Sequence, residues 1–346
     1  MRLAVQTAVG VLKAVAEPTR LRVLMLLASG ELNVKDLTRI LGQSQPRISR
    51  HLKLLAEAGL LERAPEGSWV YFRLAEAGEG GALARMALET IDRSDPVLAR
   101  DRHRAEALKS EREAAAHAYF QAHAGEWDSI RALHVAEAEV EAAVSAALGS
   151  GPFNLLIDLG TGTGRMLELF ADRYRRGLGL DLSPAMLAYA RAKLERAGLG
   201  HAQVRQGDIY HLPLADQAAD AVLMHQVLHF LSDPARAIRE AARLLRPAGH
   251  LMIVDFAPHE MEFLREEFAH RRLGLSGEQV ALWVEQAGLR IIAQQDLAPT
   301  ASGKQPRKSD RLTVSLWLCG TVTGGGPSGS EPGRASESTG TMEVVA

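Results

Sequence analysis

The sequence is poor in cysteine and has no long hydrophobic run. Its 346 residues include one cysteine, Cys319, which excludes a disulfide framework and any metal site built from several thiolates of one chain. No apolar run approaches the roughly 20 residues that span a bilayer. The N-terminus also lacks the basic region and short apolar core of a secretory signal. We therefore expect a cytoplasmic protein without a membrane segment.

The chain also lacks a strong net charge, but its charges are unevenly distributed. The net charge is −2, with 47% hydrophobic and 24% charged residues, values ordinary for a globular protein. Residues 1–75 hold 11 Lys/Arg and 6 Asp/Glu, a local charge of +5, which leaves −7 for the remainder. A basic segment joined to an acidic one is typical of a DNA-binding module attached to a second domain.

The length favours two domains, and the sequence patterns divide the chain into four segments. The head, 1–78, consists of short helical patterns that end in an amphipathic strand pair. The connector, 79–148, is rich in Ala, Arg and Glu and predicts helix with few breakers. The body, 149–322, alternates apolar strand patterns with amphipathic helices. The tail, 323–346, is a Gly/Ser/Pro/Glu-rich segment predicted to be disordered, because it cannot bury enough apolar surface.

Two helical patterns of the head are separated by a tight turn. The first, NVKDLTRIL, ends at Gly42, and the second has Pro46 in its first turn and Gly59 at its C-terminal cap. Two helices joined in this way form a helix-turn-helix unit. The following LLERAPEGSWVYFRL predicts two strands around a Pro-Glu-Gly turn, which would form a wing.

The second helix of this pair has a polar face suited to the major groove of DNA. Its periodicity turns Ile48, Leu52 and Leu55 toward the core. Gln and Arg side chains read base edges, and Ser, Arg and Lys contact phosphates. The alternative is a winged helix used only for protein contacts. The candidate DNA-binding residues are Gln45, Arg47, Ser49, Arg50 and Lys53.

Seven apolar strand patterns alternate with helices in the body, namely NLLIDLG, RGLGLDL, AQVRQGD, ADAVLMH, GHLMIVDF, LRIIAQQDL and RLTVSLWLCG. Ser183-Pro184 and Asp233-Pro234 each supply an N-cap followed by proline, and Ser276 opens a further helix. This alternation predicts a Rossmann-like α/β domain with a mostly parallel sheet.

A glycine-rich loop, DLGTGTG, follows the first of these strands. Glycines allow a tight turn and close approach of the backbone to a ligand. Arg165 stands where the dinucleotide fingerprint has its third glycine, so the spacing favours a nucleoside with an amino-acid tail, although a single glycine loop is more often only a turn. Asp181 ends the second strand and is expected to bind both ribose hydroxyls. Asp208 and Ile209 end the third strand and are expected to hold the adenine.

The complete set of predicted cofactor-binding residues is Asp158, Gly160, Thr161, Gly162, Gly164, Asp181, Leu182, Asp208, Ile209 and Gln226. The acceptor side is expected after the fourth and fifth strands, where His225, Gln226, His229, Phe230, Asp255 and His259 lie. His225 and His229 are the candidate general bases, because imidazole titrates near neutral pH. Alternatively, these histidines cap a strand or line the ligand.

From about Val9 to Leu74 the head resembles the ArsR family of bacterial repressors. The similarity lies in LKAVAEPTRLRVLMLL and SQPRISRHLKLLAEAGLLERAPEGSWVYFRL, and it implies a homodimer that binds a palindromic DNA operator. Metal-sensing members carry cysteines in the short helix before the turn. Here Asn33 and Lys35 occupy that segment, so soft-metal sensing is not expected.

We expect no metal site elsewhere in the chain. Four connector residues have metal-ligand chemistry but lack an interlocking spacing, and they are interpreted as solvated helix residues: Asp101, His103, His117 and His123.

The body, from about Tyr119 to Cys319, resembles the class I S-adenosylmethionine (SAM) dependent methyltransferases, close to the branch of ubiquinone-type methylases and arsenite methyltransferases. This resemblance implies SAM as cofactor, S-adenosylhomocysteine (SAH) as product and a small-molecule methyl acceptor. Arsenite methylation is disfavoured, because that branch binds arsenic through several cysteines. The segment AYFQAHAGEWDSIR resembles the helical lid of the branch, with Tyr119, Phe120 and Trp127 either covering the ligand or packing against the sheet.

Three functional hypotheses remain open. In the first, the body is an active methyltransferase and the head is a transcription regulator. In the second, the body only senses SAM or SAH and alters DNA binding. In the third, the winged helix of a methyltransferase serves only for dimerisation. Because the connector leads from the wing into the lid, closure of the lid is expected to change the spacing of the two DNA-reading helices of a dimer.

Overall fold

The computed structural model describes residues 4–66, 69–75, 78–127, 137–298 and 312–321. The helices are α1 Val5–Val15, α2 Pro18–Leu27, α3 Val34–Leu41, α4 Gln45–Glu57, α5 Gly78–Glu89, α6 Pro96–His123, α7 Glu137–Leu148, α8 Arg165–Leu169, α9 Pro184–Arg196, α10 Pro234–Leu244, α11 Phe263–Glu267 and α12 Gly277–Gln286. The strands are β1 Leu32–Asn33, β2 Leu61–Glu66, β3 Trp69–Leu74, β4 Phe153–Leu159, β5 Tyr174–Asp181, β6 Ala202–Gln206, β7 Ala219–His225, β8 Leu245–Phe256, β9 Leu289–Leu297 and β10 Val314–Thr321. The predicted disordered tail, 323–346, lies outside the described residues.

The head folds as a winged helix in which α3 and α4 form the helix-turn-helix. Gly42 ends α3 with a left-handed φ of 66°, as the sequence predicted. The wing is a three-stranded antiparallel sheet in the order β1-β3-β2. The predicted Pro-Glu-Gly turn is wrong in position, because Pro65 and Glu66 pair with Val70 and Trp69. Proline is tolerated there since β2 is an edge strand and needs no N–H donor on its open side.

In the described part of the connector, 79–127 and 137–148, the α-helices are α5, α6 and α7, and the first two contribute to the core of the head. Asp95 is the N-cap of α6, and its Oδ1 accepts a hydrogen bond of 2.8 Å from the N–H of Val97. Ala84 and Leu88 of α5 and Leu108 of α6 are buried in the same core as α2, α3 and α4. The packing of the head therefore continues beyond residue 78, where the sequence pattern placed its boundary.

The body is an α/β domain around a seven-stranded sheet with the order β6-β5-β4-β7-β8-β10-β9. All seven predicted strands are present. The strands β4 to β8 pair in parallel, whereas β10 lies between β8 and β9 and is antiparallel to both. Buried apolar clusters cover both faces of this sheet, so the carboxyl ends of the parallel strands meet along one edge.

The predicted N-caps of the body are formed by the expected side chains. Asp233 Oδ1 accepts from the N–H of Arg236 at 3.0 Å, and Ser276 Oγ accepts from the N–H of Gln279 at 3.2 Å. Ser183 caps α9 in the same way. Within the described ranges, no helix combines the length and the apolarity needed to cross a membrane.

Candidate functional site

A cavity of about 300 Å³ lies at the carboxyl ends of β4, β5, β6 and β7. In open α/β sheets this edge is where ligands bind, and we call this cavity the donor cavity. Nearly all the predicted cofactor-binding residues line it. They are Asp158, Gly160, Thr161, Gly162, Asp181, Leu182, Asp208, Ile209 and Gln226.

The glycine-rich loop requires glycine for two different reasons. Gly160 has a φ of 74°, and a Cβ built there would lie 2.4 Å from Cγ2 of Val227, so no other residue fits without displacing this side chain. Gly164, which was also predicted to bind the cofactor, does not line the donor cavity. It is the N-cap of α8, and a Cβ there would lie 3.3 Å from Cβ of Ala190, so this glycine allows two helices to approach.

Carboxylates hold the glycine loop in its conformation. Asp158 Oδ2 accepts a hydrogen bond of 2.6 Å from Thr161 Oγ1. Asp181 Oδ2 accepts from the N–H of Gly162 at 2.9 Å, and its Oδ1 accepts from the N–H of Ser183 at 2.8 Å. Each carboxylate oxygen has two lone pairs, so Asp181 retains the capacity to accept further hydrogen bonds from a ligand.

Two of the three predicted lid aromatics lie over the donor cavity. Phe120 and Trp127 line it, and the Phe120 ring centroid lies 5.3 Å from that of Trp127 and 4.8 Å from that of Phe230. Tyr119 instead packs on His123, with ring centroids 4.3 Å apart. The last residues of the predicted lid, 128–131, lie outside the described residues.

The acceptor-side histidines occupy different environments. His225 ends β7 and lines the donor cavity with Gln226. His229, the second candidate base, does not line it: the side chain is 1% exposed, and its Nδ1 lies 2.7 Å from Asp255 Oδ1. Because Asp255 Oδ2 also accepts from the N–H groups of Leu228 and His229, this pair holds the chain after β7.

His259 also lies behind the donor cavity and does not line it. Its Nδ1 accepts a hydrogen bond of 3.2 Å from the N–H of Met261. Burial, together with the nearby His229 and Arg265, lowers the pKa of His259 to about 4. His259 is therefore neutral near pH 7 and stabilises the segment after β8.

The residues that line the donor cavity and that the sequence reasoning missed include Lys109, Tyr210, Arg236 and Arg271. The Lys109 ammonium and the Arg236 guanidinium each lie 5.3 Å from the Tyr210 ring centroid. Tyr210 directly follows the predicted pair Asp208-Ile209, which is a usable sequence signal. Lys109 and Arg271 come from distant segments, so no local pattern could place them there.

The structure exposes the predicted DNA-reading face of α4. Gln45, Arg47, Ser49, Arg50 and Lys53 are all exposed. Ile48, Leu52 and Leu55 are at most 1% exposed and pack into the core of the head. Lys53 lies 3.7 Å from Glu57 on the same face. The arrangement presents a polar, mainly basic ridge beside the wing.

The expectation of solvated connector residues is wrong for Asp101. Its side chain is 1% exposed, and its oxygens accept from Arg22 Nε and Nη2 at 2.6 and 2.8 Å. The sequence pattern could not show this pair because its partners are 79 positions apart. His103 is exposed, and the side chain of His117 lies outside the described residues.

The segment where metal-sensing relatives carry cysteines has a structural role here. Asn33 Oδ1 accepts from the N–H of Asp36 at 2.9 Å and caps α3. In the part of the chain that the structure describes, no three His, Cys, Asp or Glu side chains are placed to hold a metal ion. Burial in β10 raises the pKa of the Cys319 thiol to about 12, so this thiol is protonated at neutral pH.

Comparisons with known proteins divide the chain in the same way as the fold. Residues 17–63 match the family model described as bacterial regulatory protein, arsR family, and residues 157–253 match the methyltransferase domain. The chain therefore combines an ArsR-type helix-turn-helix domain with a methyltransferase domain, in agreement with the predicted two-domain fold.

Individual relatives match one half or the other. The arsenical resistance operon repressor of Escherichia coli K12 is 54% identical over 63 residues, which cover 18% of this chain and 54% of the repressor. The demethylmenaquinone methyltransferase of Thermus thermophilus is 36% identical over 118 residues, which cover 34% of this chain and 53% of that enzyme; this match supports the resemblance to ubiquinone-type methylases. The chain thus spans about half the length of each.

A solved structure supports the fold of the body. A chain from a complex between a methyltransferase activator and a methyltransferase of Haloferax volcanii has a TM-score of 0.50 and 23% identity. The match covers 58% of this chain and 97% of that one. At this identity the likeness concerns the fold alone.

Proposed function

We propose that this protein is a DNA-binding transcription regulator whose body transfers a methyl group from SAM to a small-molecule acceptor. The observation that carries the proposal is the donor cavity, where three strand-end carboxylates and the glycine loop converge. Asp158, Asp181 and Asp208 face one cavity, and their negative charges suit the cationic ammonium and sulfonium groups of SAM. The adjoining winged helix supplies the DNA-binding half.

Each group of the donor cavity has a distinct task in this proposal. Asp158 lies by the ammonium end, Asp181 accepts the ribose hydroxyls, and Asp208 accepts from the adenine amine. When bound, SAM would supply an electrophilic methyl group on sulfur. Phe120 and Trp127 exclude water from the cavity, which favours an in-line displacement between two positioned reactants.

We propose His225 rather than His229 as the general base for an acceptor that must lose a proton. His225 lines the donor cavity, so its imidazole is within the space that the acceptor would enter. His229 is buried against Asp255 and acts as a positioning residue for the chain after β7. An acceptor that is already nucleophilic needs no base.

Binding of SAM tests the proposal directly. Asp181→Ala removes two charge-assisted hydrogen bonds to the ribose, so we expect calorimetry to show at least about a tenfold loss of SAM affinity. Asp172→Ala, which changes an exposed aspartate after α8, is the matched control and should bind SAM like the wild type. A wild-type protein that binds no SAM, or an Asp181 variant that binds it equally well, would contradict the proposal.

The second candidate function, a SAM or SAH sensor that regulates DNA binding, is favoured by the position of α6. Asp101 in its first half bonds to Arg22 of α2, and Arg112 bonds to Asp36 of α3 at 3.2 Å. At its other end, Phe120 lines the donor cavity. One helix therefore contacts the helix-turn-helix unit and also lines the donor cavity.

Exposed apolar side chains on the head and on α5 of the connector support a homodimer. Val5, Val9 and Leu12 of α1 are 79%, 43% and 56% exposed, and Met86 of α5 is 57% exposed. Such a surface is unfavourable in water unless a partner covers it. Light scattering should give twice the chain mass, and Leu12→Glu should shift the measured mass toward that of the monomer.

We also propose a cytoplasmic location, which agrees with a single, buried thiol.

A further inference from the structure

A second cavity, of about 410 Å³, lies between the head and the body. We call it the interdomain cleft. Its walls come from α2, β1 and β3 of the head, from α6, and from two segments of the body, 231–233 and 271–272. Four residues line both this cleft and the donor cavity, namely Lys109, Leu231, Ser232 and Arg271. The two cavities therefore adjoin at these side chains.

Arg271 lies at this junction, and the charged groups around its guanidinium are mainly other cations. Burial lowers the pKa of its guanidinium, and so do the nearby charges of Arg112 and Arg272. The groups that oppose this shift are the hydroxyls of Tyr210 and Tyr71. Cations and phenols, rather than carboxylates, are thus the charged and polar groups that dominate its surroundings.

The nearby carboxylates already pair with other arginines. In these pairs Arg112 Nη1 lies 3.2 Å from Asp36 Oδ2, Arg272 Nη1 lies 3.1 Å from Glu31 Oε2, and Arg22 Nε lies 2.6 Å from Asp101 Oδ2. Two further acidic residues line the cleft, Glu106 and Asp233. Among the residues that the structure describes, no carboxylate bonds to the Arg271 guanidinium. Arg271 is half-buried, and partial desolvation of a guanidinium is costly unless it is paired, so the site favours an external anion.

We propose that the methyl acceptor is a small carboxylate that enters through the interdomain cleft and places its carboxylate on Arg271. This inference rests on the proposed methyltransferase function. A guanidinium binds a carboxylate by two parallel N–H donors, and no carboxylate of the described residues occupies these donors on Arg271. Phe230 and Leu231 line the donor cavity beside this point, so an apolar acceptor body can extend from Arg271 toward the donor.

The carboxylate site also contacts the DNA-binding head. Tyr71 Oη of β3 donates to the carbonyl oxygen of Arg271 at 3.4 Å. Arg272 Nη1 lies 3.1 Å from Oε2 of Glu31 at the start of the wing sheet. The N–H groups of Arg271 and Arg272 both donate to the carbonyl oxygen of His229, directly before Phe230. An acceptor bound on Arg271 therefore lies against a segment that is bonded to both domains.

Calorimetry on the full-length, SAH-loaded protein tests this inference. The probes are benzoate and phenylacetate, with benzamide and phenylacetamide as neutral counterparts of the same shape. We expect the wild type to bind the carboxylates at least about tenfold more tightly than the amides. Arg271→Gln should lose the preference for carboxylates over amides. Arg271→Lys, which keeps the positive charge but not the two parallel N–H donors, should retain part of that preference.

Arg205→Gln is the matched control, because Arg205 is an exposed arginine on β6. It should bind both kinds of probe like the wild type. Equal binding of carboxylates and amides, or a preference that survives in Arg271→Gln, overturns the inference. Loss of SAH affinity in Arg271→Gln also overturns it, because Arg271 would then hold the carboxylate of the donor. Failure of the wild type to bind SAH contradicts the methyltransferase proposal instead.

Discussion

Two histidines lie behind the donor cavity, and the protonation of one of them, His259, affects the stability of the fold. His229 is buried and His259 is half-buried, and both are hydrogen bonded, but only His229 has a carboxylate partner, Asp255. His259 faces His229 and Arg265, which disfavour its protonation, and Asp255 and Glu262, which favour it. Burial dominates this balance, so His259 is a group whose protonation destabilises the fold.

A pH dependence of stability follows for His259. Its folded-state pKa, about 4, lies below the unfolded value of about 6.5, so the unfolded chain binds more protons between these two pH values. The free energy of unfolding should therefore fall as the pH falls from about 6.5 to 4, with this residue contributing up to about 3 kcal/mol. His259→Gln should lack that part of the pH dependence in denaturant titrations.

His103→Gln is the matched control, because His103 is exposed on α6. Its stability should change with pH like that of the wild type. An identical pH profile for wild type and His259→Gln would show that His259 is not held neutral.

The element that should contact DNA is α4. If Arg50 reads a base, Arg50→Ala should weaken operator binding by about 1–3 kcal/mol. The triple alanine variant at Arg47, Arg50 and Lys53 should also reduce the salt dependence of binding, because fewer phosphate counterions are released. Fluorescence anisotropy at several salt concentrations measures both. Arg191→Ala, in an exposed position of α9, should behave like the wild type, whereas a triple variant with unchanged affinity and salt slope would remove the DNA-binding role.

The helix α6 connects the head to the lid, and its ion pairs differ in how far they are buried. Asp101 is buried against Arg22, whereas Glu111 and Arg39 are 59% and 58% exposed. Asp101→Asn leaves a largely buried guanidinium without its charge partner and should lower the free energy of unfolding by about 3 kcal/mol. Glu111→Gln, the matched change in the exposed pair, should cost less than about 1 kcal/mol. Equal effects in denaturant titration would show that burial of the Asp101 pair is not decisive.

At the scale of the whole molecule, two connections among the described residues link the donor cavity to the head. One is α6, and the other is the body segment around Arg271 and Arg272, which bonds to Tyr71 and Glu31. A ligand changes DNA affinity only if it binds the two arrangements of the molecule unequally. Because both connections join the donor cavity to the head, a ligand in the cavity can favour one arrangement of the head over the other.

We therefore expect SAM or SAH to change operator affinity by about 5- to 150-fold, the usual range of allosteric coupling. The measurement is operator binding with SAM, with SAH and with neither. Asp101→Asn should reduce the ratio and Glu111→Gln should preserve it. Identical operator affinities at zero and saturating ligand, in a protein that binds both, would mean that the two domains act independently.

Local patterns in the sequence were sufficient to predict most of the elements and the convergence of the strand-end carboxylates on one cavity. The seven strands, the α4 face and the strand-end carboxylates follow from periodicity of 2 or 3.6 residues and from short caps and turns. Asp158, Asp181 and Asp208 could be predicted together because parallel strands end at a common edge. These features depend on residues that are neighbours in the chain.

Contacts between distant segments required the folded chain. The insertion of β10 between β8 and β9, the buried pair of Arg22 with Asp101, and the convergence of Lys109 and Arg271 on the donor cavity join residues that are far apart in sequence. Apolar periodicity specifies which face of an element is buried, but not which other element covers it. His225 and His229 belong to one short segment, so their different environments could not be predicted from the sequence. A tertiary contact decides the difference, because His229 packs against Asp255 and is turned away from the donor cavity.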